Sequence, residues 1–207
     1  MRVVFVLYGR DSQYAKLMVR SCKRLGYEVW QLSDYQAPMI EGVDHIERRP
    51  MEEGRMIYRC RRLSQLMPPY VMLDTDMLVV RPIEGGFEPD TDVSLTWREK
   101  HTVIMKNQPP TKMPYNGGVI FVRNANFMSD CLSEMEKMHH QLQDWYGDQI
   151  ALRDVVDNGK YKVNVLKEPG WNFCPEHPEH IGKTVRIYHF KGQRKALMND
   201  YAEKLGI

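Results

Sequence analysis

The chain of 207 residues is long enough for one well-buried core and short for two domains. Its 29 Lys and Arg nearly balance 27 Asp and Glu, which argues against a dedicated nucleic-acid-binding protein, where a larger and clustered basic excess is typical. The 4 cysteines are scattered and form no CxxC pair, so they indicate reduced thiols rather than a disulfide framework. Because no apolar run approaches the length of a membrane span, we expect a cytoplasmic protein without a transmembrane segment.

The first part of the chain alternates strands with a helix. Val3 to Leu7 is a β-branched apolar run, typical of a strand that is buried on both faces. A helix that Ser12 can cap and that Gly26 can end follows it, and residues 27–32 form a second predicted strand. Strand, helix and strand with short connections make a parallel βαβ unit, so the pattern predicts an α/β fold.

The rest of the chain continues without a linker or a break in composition, which predicts one domain. The first predicted helix after this unit is residues 54–67, which Pro68-Pro69 ends. A second has an apolar stripe from Phe127 to Leu142 and begins at an Asn124 or Asn126 cap. A third, short helix begins near Asp148. The predicted strands are residues 70–73, 77–80, 92–97, 119–122, 162–166 and 185–188, and the predicted loops are residues 99–114 and 168–178.

Two carboxylates, Asp74 and Asp76, stand at the carboxyl end of the short buried strand 70–73. Burying a charge without a partner is strongly unfavourable, and parallel sheets bind ligands at the carboxyl ends of their strands. A divalent cation with oxygen ligands, Mn²⁺ or Mg²⁺, would satisfy both carboxylates and accept substrate phosphates as further ligands. The alternative is a pair of turn-forming aspartates that cap the next segment.

A different chemistry would use Asp74 as the nucleophile of a haloacid-dehalogenase-like phosphatase, with Asp76 as the acid or base. That motif usually follows the first strand and continues with small or β-branched residues. Here it lies well after the first strand and continues with Met77-Leu78. The C-terminal part of the sequence also offers no paired acidic motif to complete such a site, so the pattern disfavours a phosphatase.

Five short motifs in a fixed order make the sequence resemble the retaining family-8 glycosyltransferases, such as glycogenin and the bacterial lipopolysaccharide galactosyltransferases. They are Leu-Asp-x-Asp at 73–76, Asn-x-Gly before an apolar strand at 116–120, Asp-Gln at 148–149, Asn-Phe-x-Pro at 172–175, and His-x-x-Gly-x-x-Lys at 189–195. The sequence departs from the family at Ile150, where a further acid is common, and at Ala196-Leu197, where Pro-Trp is expected. The resemblance implies that residues 1–207 form a single GT-A, Rossmann-like domain with a mostly parallel central sheet flanked by helices.

The resemblance also implies which residues bind the substrate. Asp74, Asp76 and His189 would hold the metal ion that bridges the donor diphosphate, and Asp148 and Gln149 would face the transferred sugar as the catalytic pair. The other donor contacts would come from strand ends and loops, namely Leu7, Tyr8, Gly9, Thr75, Asn116, Gly117, Gly118, Asn172, Gly192 and Lys195. One arginine of helix 54–67 would point toward the donor while the others face solvent, and of Arg59 and Arg62 we favour Arg59.

These expectations describe transfer of a hexose, glucose or galactose, from a UDP-sugar to an acceptor that is a glycan, a lipid-linked sugar or a protein. Nucleic acid is not expected as a partner. Retention of configuration is implied by the resemblance, and because Gln149 is a poor nucleophile we favour front-face transfer over double displacement. A degenerate GT-A domain that binds a nucleotide sugar without turnover is the main alternative. We also expect the tail after Tyr188 to return to Asp74 and to be dispensable for folding of the sheet.

Overall fold

A sheet of 7 strands forms the centre of the molecule. The structure, a computed structural model, describes residues 1–10, 12–98, 102–103 and 110–207. The strands are β1 (Arg2–Leu7), β2 (Glu28–Ser33), β3 (His45–Arg48), β4 (Tyr70–Leu73), β5 (Met77–Val79), β6 (Val93–Trp97), β7 (Thr102–Val103), β8 (Thr111–Lys112), β9 (Tyr115–Val122), β10 (Val163–Lys167) and β11 (Ile187–His189). The α-helices are α1 (Gln13–Arg24), α2 (Arg55–Ser64), α3 (Ala125–Glu136), α4 (His140–Asp144), α5 (Gly147–Asp157), α6 (Glu168–Trp171) and α7 (Met198–Lys204).

The strand order of the central sheet is β10-β6-β9-β4-β1-β2-β3. β9 runs antiparallel to β6 and β4, and the other neighbouring pairs are parallel. The carboxyl ends of β1, β4 and β6 therefore lie along one edge of the sheet, where parallel sheets bind ligands. β5 pairs with β11 and β7 pairs with β8 in two small antiparallel sheets. This mostly parallel α/β architecture is the one that the sequence predicts.

Strand β1 separates two cores. Val3, Phe5 and Leu7 pack with α1, α7 and the β5–β11 pair, and Val4 and Val6 pack on the opposite face with α2, α3 and α5. Both faces of the strand are covered, which is why its sequence is a continuous apolar run rather than an alternating one. The helices thus flank the sheet on both sides and leave its carboxyl edge free to form a site.

The first βαβ unit agrees with the prediction except at the start of its helix. α1 buries an apolar face, and Gly26, at φ +77°, follows its end in the left-handed conformation that glycine adopts readily. Ser12 occupies the N-cap position, but its side chain makes no capping hydrogen bond there. The predicted cap is therefore wrong, although the predicted position of the helix start is correct.

The helix predicted from Phe127 to Leu142 is two helices, α3 and α4. His139 adopts an extended conformation between them, and its side chain accepts a hydrogen bond from the N–H of Gln141, so a new helix begins there. Asn124 rather than Asn126 caps α3, because its side chain accepts from the N–H of Asn126. The single apolar stripe thus extends over two separate helices.

Several elements have no clear signal in the sequence. β3 is a short edge strand of mostly polar residues, and α7 lies in the C-terminal tail, where no helix was predicted. The predicted loop 168–178 contains α6, and the predicted loop 99–114 contains β7 and β8, while residues 99–101 and 104–109 lie outside the described residues. Among the helices that the structure describes, none combines the length and the apolar character needed to cross a membrane.

Candidate functional site

The turn Asp74-Thr75-Asp76 is fixed at both ends by backbone hydrogen bonds. Asp74 follows β4, and its N–H donates to the carbonyl of Gly118 in β9 at 3.0 Å. Asp76 precedes β5, and its carbonyl accepts from the N–H of Phe190 at 2.9 Å. Thr75 is half-buried between them. The turn is therefore held by the sheet edge, and its two carboxylates have defined directions.

The C-terminal tail returns to this turn, as the sequence predicts. β11 pairs antiparallel with β5, and the register sets His189 opposite Met77, the residue that follows Asp76. A 3-10 helix, Gly192–Leu197, then brings Lys195 to the same turn, with its Nζ 3.1 Å from Asp76 Oδ2. Strand pairing thus joins groups that are far apart in the sequence.

Asp74, Asp76 and His189 form a cluster whose ligand atoms all lie within 4.8 Å of one another. His189 Nε2 is 3.2 Å from Asp76 Oδ1 and 3.5 Å from Asp74 Oδ2. Asp76 and His189 are buried and Asp74 is half-buried, so the cluster is closed on one side and reachable on the other. Two carboxylates and an imidazole are a ligand set that could hold a divalent metal ion.

The electrostatics of the cluster favour the protonation states of metal ligands. Burial raises the pKa of Asp76, but its contacts with His189 and with the charge of Lys195 outweigh burial and bring the pKa down to about 2. Burial lowers the pKa of His189, which favours the neutral imidazole. An ionised carboxylate and a neutral imidazole are the forms that coordinate a cation.

Arg59 links the metal cluster to a second buried carboxylate. One guanidinium nitrogen lies 3.0 Å from Asp74 Oδ1 and 3.5 Å from Asp148 Oδ2. The other terminal nitrogen donates to the carbonyl of Gly117. Burial lowers the pKa of Arg59, but Asp74 and Asp148 raise it more, so the guanidinium stays charged. Arg59 therefore neutralises both carboxylates and fixes the distance between them.

Arg61 and Arg62, two further arginines of α2, form ion pairs with acidic residues. Arg62 is buried, contrary to the expectation that it faces solvent, and it lies 3.0 Å from Glu47. Arg61 pairs with Glu53 at 2.8 Å. Local ion pairs thus account for the basic character of this helix, and no nucleic-acid ligand is needed to explain it.

Asp148 and Gln149 open α5 beside β9. Asp148 Oδ1 accepts from the N–H of Gln149 at 2.9 Å, while Oδ2 faces Arg59. Burial raises the pKa of Asp148, and the charge of Arg59 opposes that rise. Tyr146, in the left-handed conformation at φ 70°, occupies the N-cap position of α5. Asp148 therefore does not have the helix-capping role that is the simplest alternative for an aspartate at a helix start.

The glycines of Asn116-Gly117-Gly118 allow the sheet to approach both carboxylate groups. The three residues lie inside β9, whereas the sequence predicts a strand that begins only at residue 119. A Cβ on Gly117 would stand 2.7 Å from Asp148 Oδ2, and a Cβ on Gly118 would stand 2.6 Å from His189 Cε1. Both distances are shorter than side-chain packing permits, so the two glycines are explained by close approach and not by turn geometry.

We expect Gly118→Ala to weaken Mn²⁺ binding by about tenfold or more, because the added methyl group displaces His189 from the cluster, and misoriented ligands cost affinity on that scale. Calorimetric titration with Mn²⁺ measures the change. Gly85→Ala is the matched control, since a Cβ there meets its nearest atom, in Trp171, at 3.9 Å. Equal Mn²⁺ affinity in Gly118→Ala and the wild type would show that the cation binds elsewhere.

The end of β1 lies beside the cluster. Tyr8 is half-buried near the charges of Arg59 and Asp74, and burial raises the pKa of its hydroxyl to about 12. The guanidinium carbon of Arg55 lies 6.0 Å from the Tyr8 ring centroid. The side chain of Leu7 belongs to the core, so only its backbone is available to a ligand.

Asp34 is a residue of this region that the sequence analysis missed. It follows β2, and its carboxylate accepts hydrogen bonds from the N–H groups of Gly9, Gln36 and Ala37 at 3.0, 2.9 and 2.7 Å. It thereby ties the end of β1, where Gly9 has a φ of +73°, to the turn after β2. The available signal was the one used for Asp74, an acid directly after an apolar strand.

Two residues of the C-terminal motifs have opposite environments. Gly192 has a φ of +57°, and no atom lies within 4 Å of the place where a Cβ would stand. A ligand can therefore approach its backbone closely. Asn172 is fully buried, and its Oδ1 lies 2.8 Å from Nδ1 of His189. The structure therefore places Asn172 behind the cluster, on the side of His189 away from the carboxylates.

The sequence matches no known protein-family model and no curated protein. A solved glycosyltransferase involved in the glycosylation of the major capsid of PBCV-1 superimposes with a TM-score of 0.65 at 17% identity, over 98% of both chains. The galactosyltransferase LgtC, in complex with donor and acceptor sugar analogs, gives a TM-score of 0.61 at 13% identity, over 100% of this chain and 95% of LgtC. The CTP:phosphocholine cytidylyltransferase LicC from Streptococcus pneumoniae gives 0.52 at 12% identity, over 99% of this chain and 97% of LicC.

At sequence identities of 12–17%, the similarity to these structures shows a shared fold and no more. The chain has the GT-A glycosyltransferase fold, and the resemblance that its five motifs predict is confirmed at that level. The site adds an Asp-Asp-His group that could bind a divalent metal at the carboxyl edge of the sheet. Fold and site together define the class, a GT-A protein with a candidate metal centre.

Proposed function

We propose that the protein is a metal-dependent glycosyltransferase that moves glucose or galactose from a UDP-sugar to an acceptor. The observation that carries the proposal is the partly buried cluster of Asp74, Asp76 and His189. The ammonium group of Lys195 lies beside it. A nucleoside diphosphate is negatively charged, and a metal ion in the cluster and the ammonium group of Lys195 could both bind it. The proposal treats residues 1–207 as one nucleotide-sugar-binding domain.

The diphosphate would be bound by the metal cluster and the tail. A Mn²⁺ or Mg²⁺ ion held by Asp74, Asp76 and His189 supplies Lewis-acid stabilisation of the charge on the leaving diphosphate. Lys195, whose Nζ is 3.1 Å from Asp76, would turn toward the phosphates as a point charge, and the backbone at Gly192 would approach them without a Cβ in the way. Tyr8, Gly9 and the Leu7 backbone would contact the base and ribose.

The donor sugar would lie between β9 and the start of α5. Within the described residues, the buried atoms Asn116 Nδ2 and Gln149 Oε1 have no hydrogen-bond partner. Because buried polar atoms are nearly always paired, a sugar bound here would supply the partners that these two atoms lack. Sugar hydroxyls can both donate to Gln149 and accept from Asn116. The bare backbone of Gly117 lets Asp148 approach this strand closely, because a Cβ there would stand 2.7 Å from Asp148 Oδ2.

The geometry favours front-face transfer over a covalent enzyme intermediate. One oxygen of Asp148 accepts from the N–H of Gln149 and the other faces Arg59, so neither is free to attack carbon. The amide of Gln149 is a poor nucleophile. In a front-face step the C1–O bond to the diphosphate breaks as a bond from the acceptor oxygen forms on the same face. The acceptor proton leaves to an oxygen of the departing phosphate, and configuration is retained.

Two other functions are less compatible with the site. A phosphatase would need Asp74 as a free nucleophile, yet its Oδ1 is 3.0 Å from Arg59 and its Oδ2 faces His189. A nucleotidyltransferase shares the fold, as LicC shows, but the first strand here leads into Tyr8-Gly9-Arg10 and not into a Gly-rich loop that cradles a triphosphate. A domain that binds the nucleotide sugar without turnover is the alternative that needs an experiment.

The test is calorimetric titration of UDP-glucose and UDP-galactose with Mn²⁺, with Mg²⁺ and with a chelator, followed by assays of donor hydrolysis and of transfer to an acceptor panel. We expect binding only when a divalent cation is present, followed by release of UDP. Hydrolysis of p-nitrophenyl phosphate serves as the control for phosphatase activity. Equal donor affinity in chelator would refute the metal centre, and binding without UDP release would establish the degenerate domain.

A further inference from the structure

The segment Asn172-Phe173 pairs with β11 and places the side-chain amide of Asn172 next to His189 of the candidate metal cluster. Phe173 forms a parallel bridge with Tyr188, its N–H donates to the carbonyl of Ile187 at 3.0 Å, and its carbonyl accepts from the N–H of His189 at 2.8 Å. This backbone pairing sets the side chain of Asn172 beside the imidazole of His189. The Asn172 Oδ1 to His189 Nδ1 distance is 2.8 Å.

The two sides of the imidazole face different partners. Nε2 faces the carboxylates of Asp76 and Asp74 at 3.2 and 3.5 Å, and Nδ1 faces Asn172. An imidazole that binds a cation through Nε2 carries its proton on Nδ1, and that N–H must find an acceptor when it is buried. His189 is 2% exposed and Asn172 is 0% exposed, so water does not compete for this position.

The ring is also confined along its edge. Its Cε1 lies so close to the backbone of Gly118 that a Cβ there would come within 2.6 Å. The imidazole thus sits between the bare backbone of Gly118 and the amide of Asn172. Its orientation depends on contacts that come from two separate parts of the chain.

We propose that Asn172 is a positioning residue of the metal site, whose Oδ1 accepts the Nδ1–H of His189 and holds Nε2 toward the cation shared with Asp74 and Asp76. This role differs from the substrate contact that the Asn-Phe-x-Pro motif implies, because the side chain is fully buried and its Oδ1 faces His189. The inference rests on the proposed metal centre, and it assigns the fourth motif to the metal ligand instead of to the sugar nucleotide.

The experiment compares Asn172→Leu, which removes the acceptor at similar volume, with Asn172→Asp, which keeps an oxygen acceptor. We expect calorimetry to show Mn²⁺ bound about 10- to 100-fold more weakly by Asn172→Leu, and within about threefold of the wild type by Asn172→Asp, since loss of such partners costs 10–100-fold in metal affinity. Asn124→Ala is the matched control. It removes the α3 cap far from the cluster, so it lowers thermal stability without changing Mn²⁺ affinity.

A second measurement does not depend on the folding of Asn172→Leu. Nitrogen-15 NMR of the wild type loaded with Cd²⁺, a diamagnetic substitute, should show the His189 proton on Nδ1, with the signal assigned from its loss in His189→Gln. A proton on Nε2, or Mn²⁺ affinity in Asn172→Leu within about twofold of the wild type, would overturn the role of Asn172. A wild type that binds neither cation would instead refute the metal centre itself.

Discussion

Asp76→Asn is expected to lower glycosyl transfer by a factor on the order of 10²–10³ while the protein stays folded, because one electrostatic contact to the leaving group contributes on that scale. Asn has the same shape but brings no charge to the cation. The substitution also removes the negative charge facing Lys195 at 3.1 Å and His189 at 3.2 Å, which frees Lys195 without creating a cavity. Transfer rates are measured with saturating Mn²⁺ and UDP-sugar, and folding by urea denaturation.

The matched control for this prediction is Asp92→Asn. Asp92 lies at the opposite end of β6, where it accepts from Asn124 Nδ2 at 2.9 Å and from the N–H of Lys162 at 2.8 Å. Its loss should lower stability and leave transfer unchanged. If Asp76→Asn transferred sugar at the wild-type rate, or failed to fold while Asp92→Asn folded, Asp76 would be a turn-forming residue and not a ligand.

Phe190→Ala is expected to lower the free energy of unfolding by about 3–5 kcal/mol, as for other fully buried aromatic side chains. Phe190 is 0% exposed, and its ring centroid lies 5.2 Å from that of Tyr201 in α7. Loss of the tail after Tyr188 is therefore expected to weaken the core as well as donor binding, in contrast to the expectation that the sheet folds without it. Truncation there removes Phe190, Met198 and Tyr201, all fully buried in the core under β1.

Urea denaturation measures the loss in Phe190→Ala. Met67→Ala is a suitable control because Met67 is 72% exposed, and exposed substitutions usually change stability by less than about 0.5 kcal/mol. A stability of Phe190→Ala close to that of the control would show that the tail does not share the core. Point variants such as Asn172→Leu, and not truncations, are thus the appropriate probes of the tail.

The buried strands and the carboxylates of the candidate metal cluster were predictable from the sequence. Residues 3–7 and 70–73 are continuous apolar runs, and a strand that is buried on both faces needs such a run. Asp74 and Asp76 follow one of them, at the end of a parallel strand where ligands bind. These signals are local, because each depends on residues a few positions apart. The GT-A fold also followed from motifs that keep their order along the chain.

Which groups meet across the fold was decided by the tertiary structure. His189 reaches Asp76 only through the pairing of β11 with β5, and Arg59 is distinguished from Arg62 by the neighbours of α2. The glycines of β9 appear in the sequence only as residues before an apolar strand, since nothing nearby shows that the carboxylates of Asp74 and Asp148 pack against them. β3 carries no apolar pattern, because it is an edge strand exposed to solvent. Long-range pairing brings these groups together, and a sequence pattern records only the burial of each residue and not the identity of the residue that covers it.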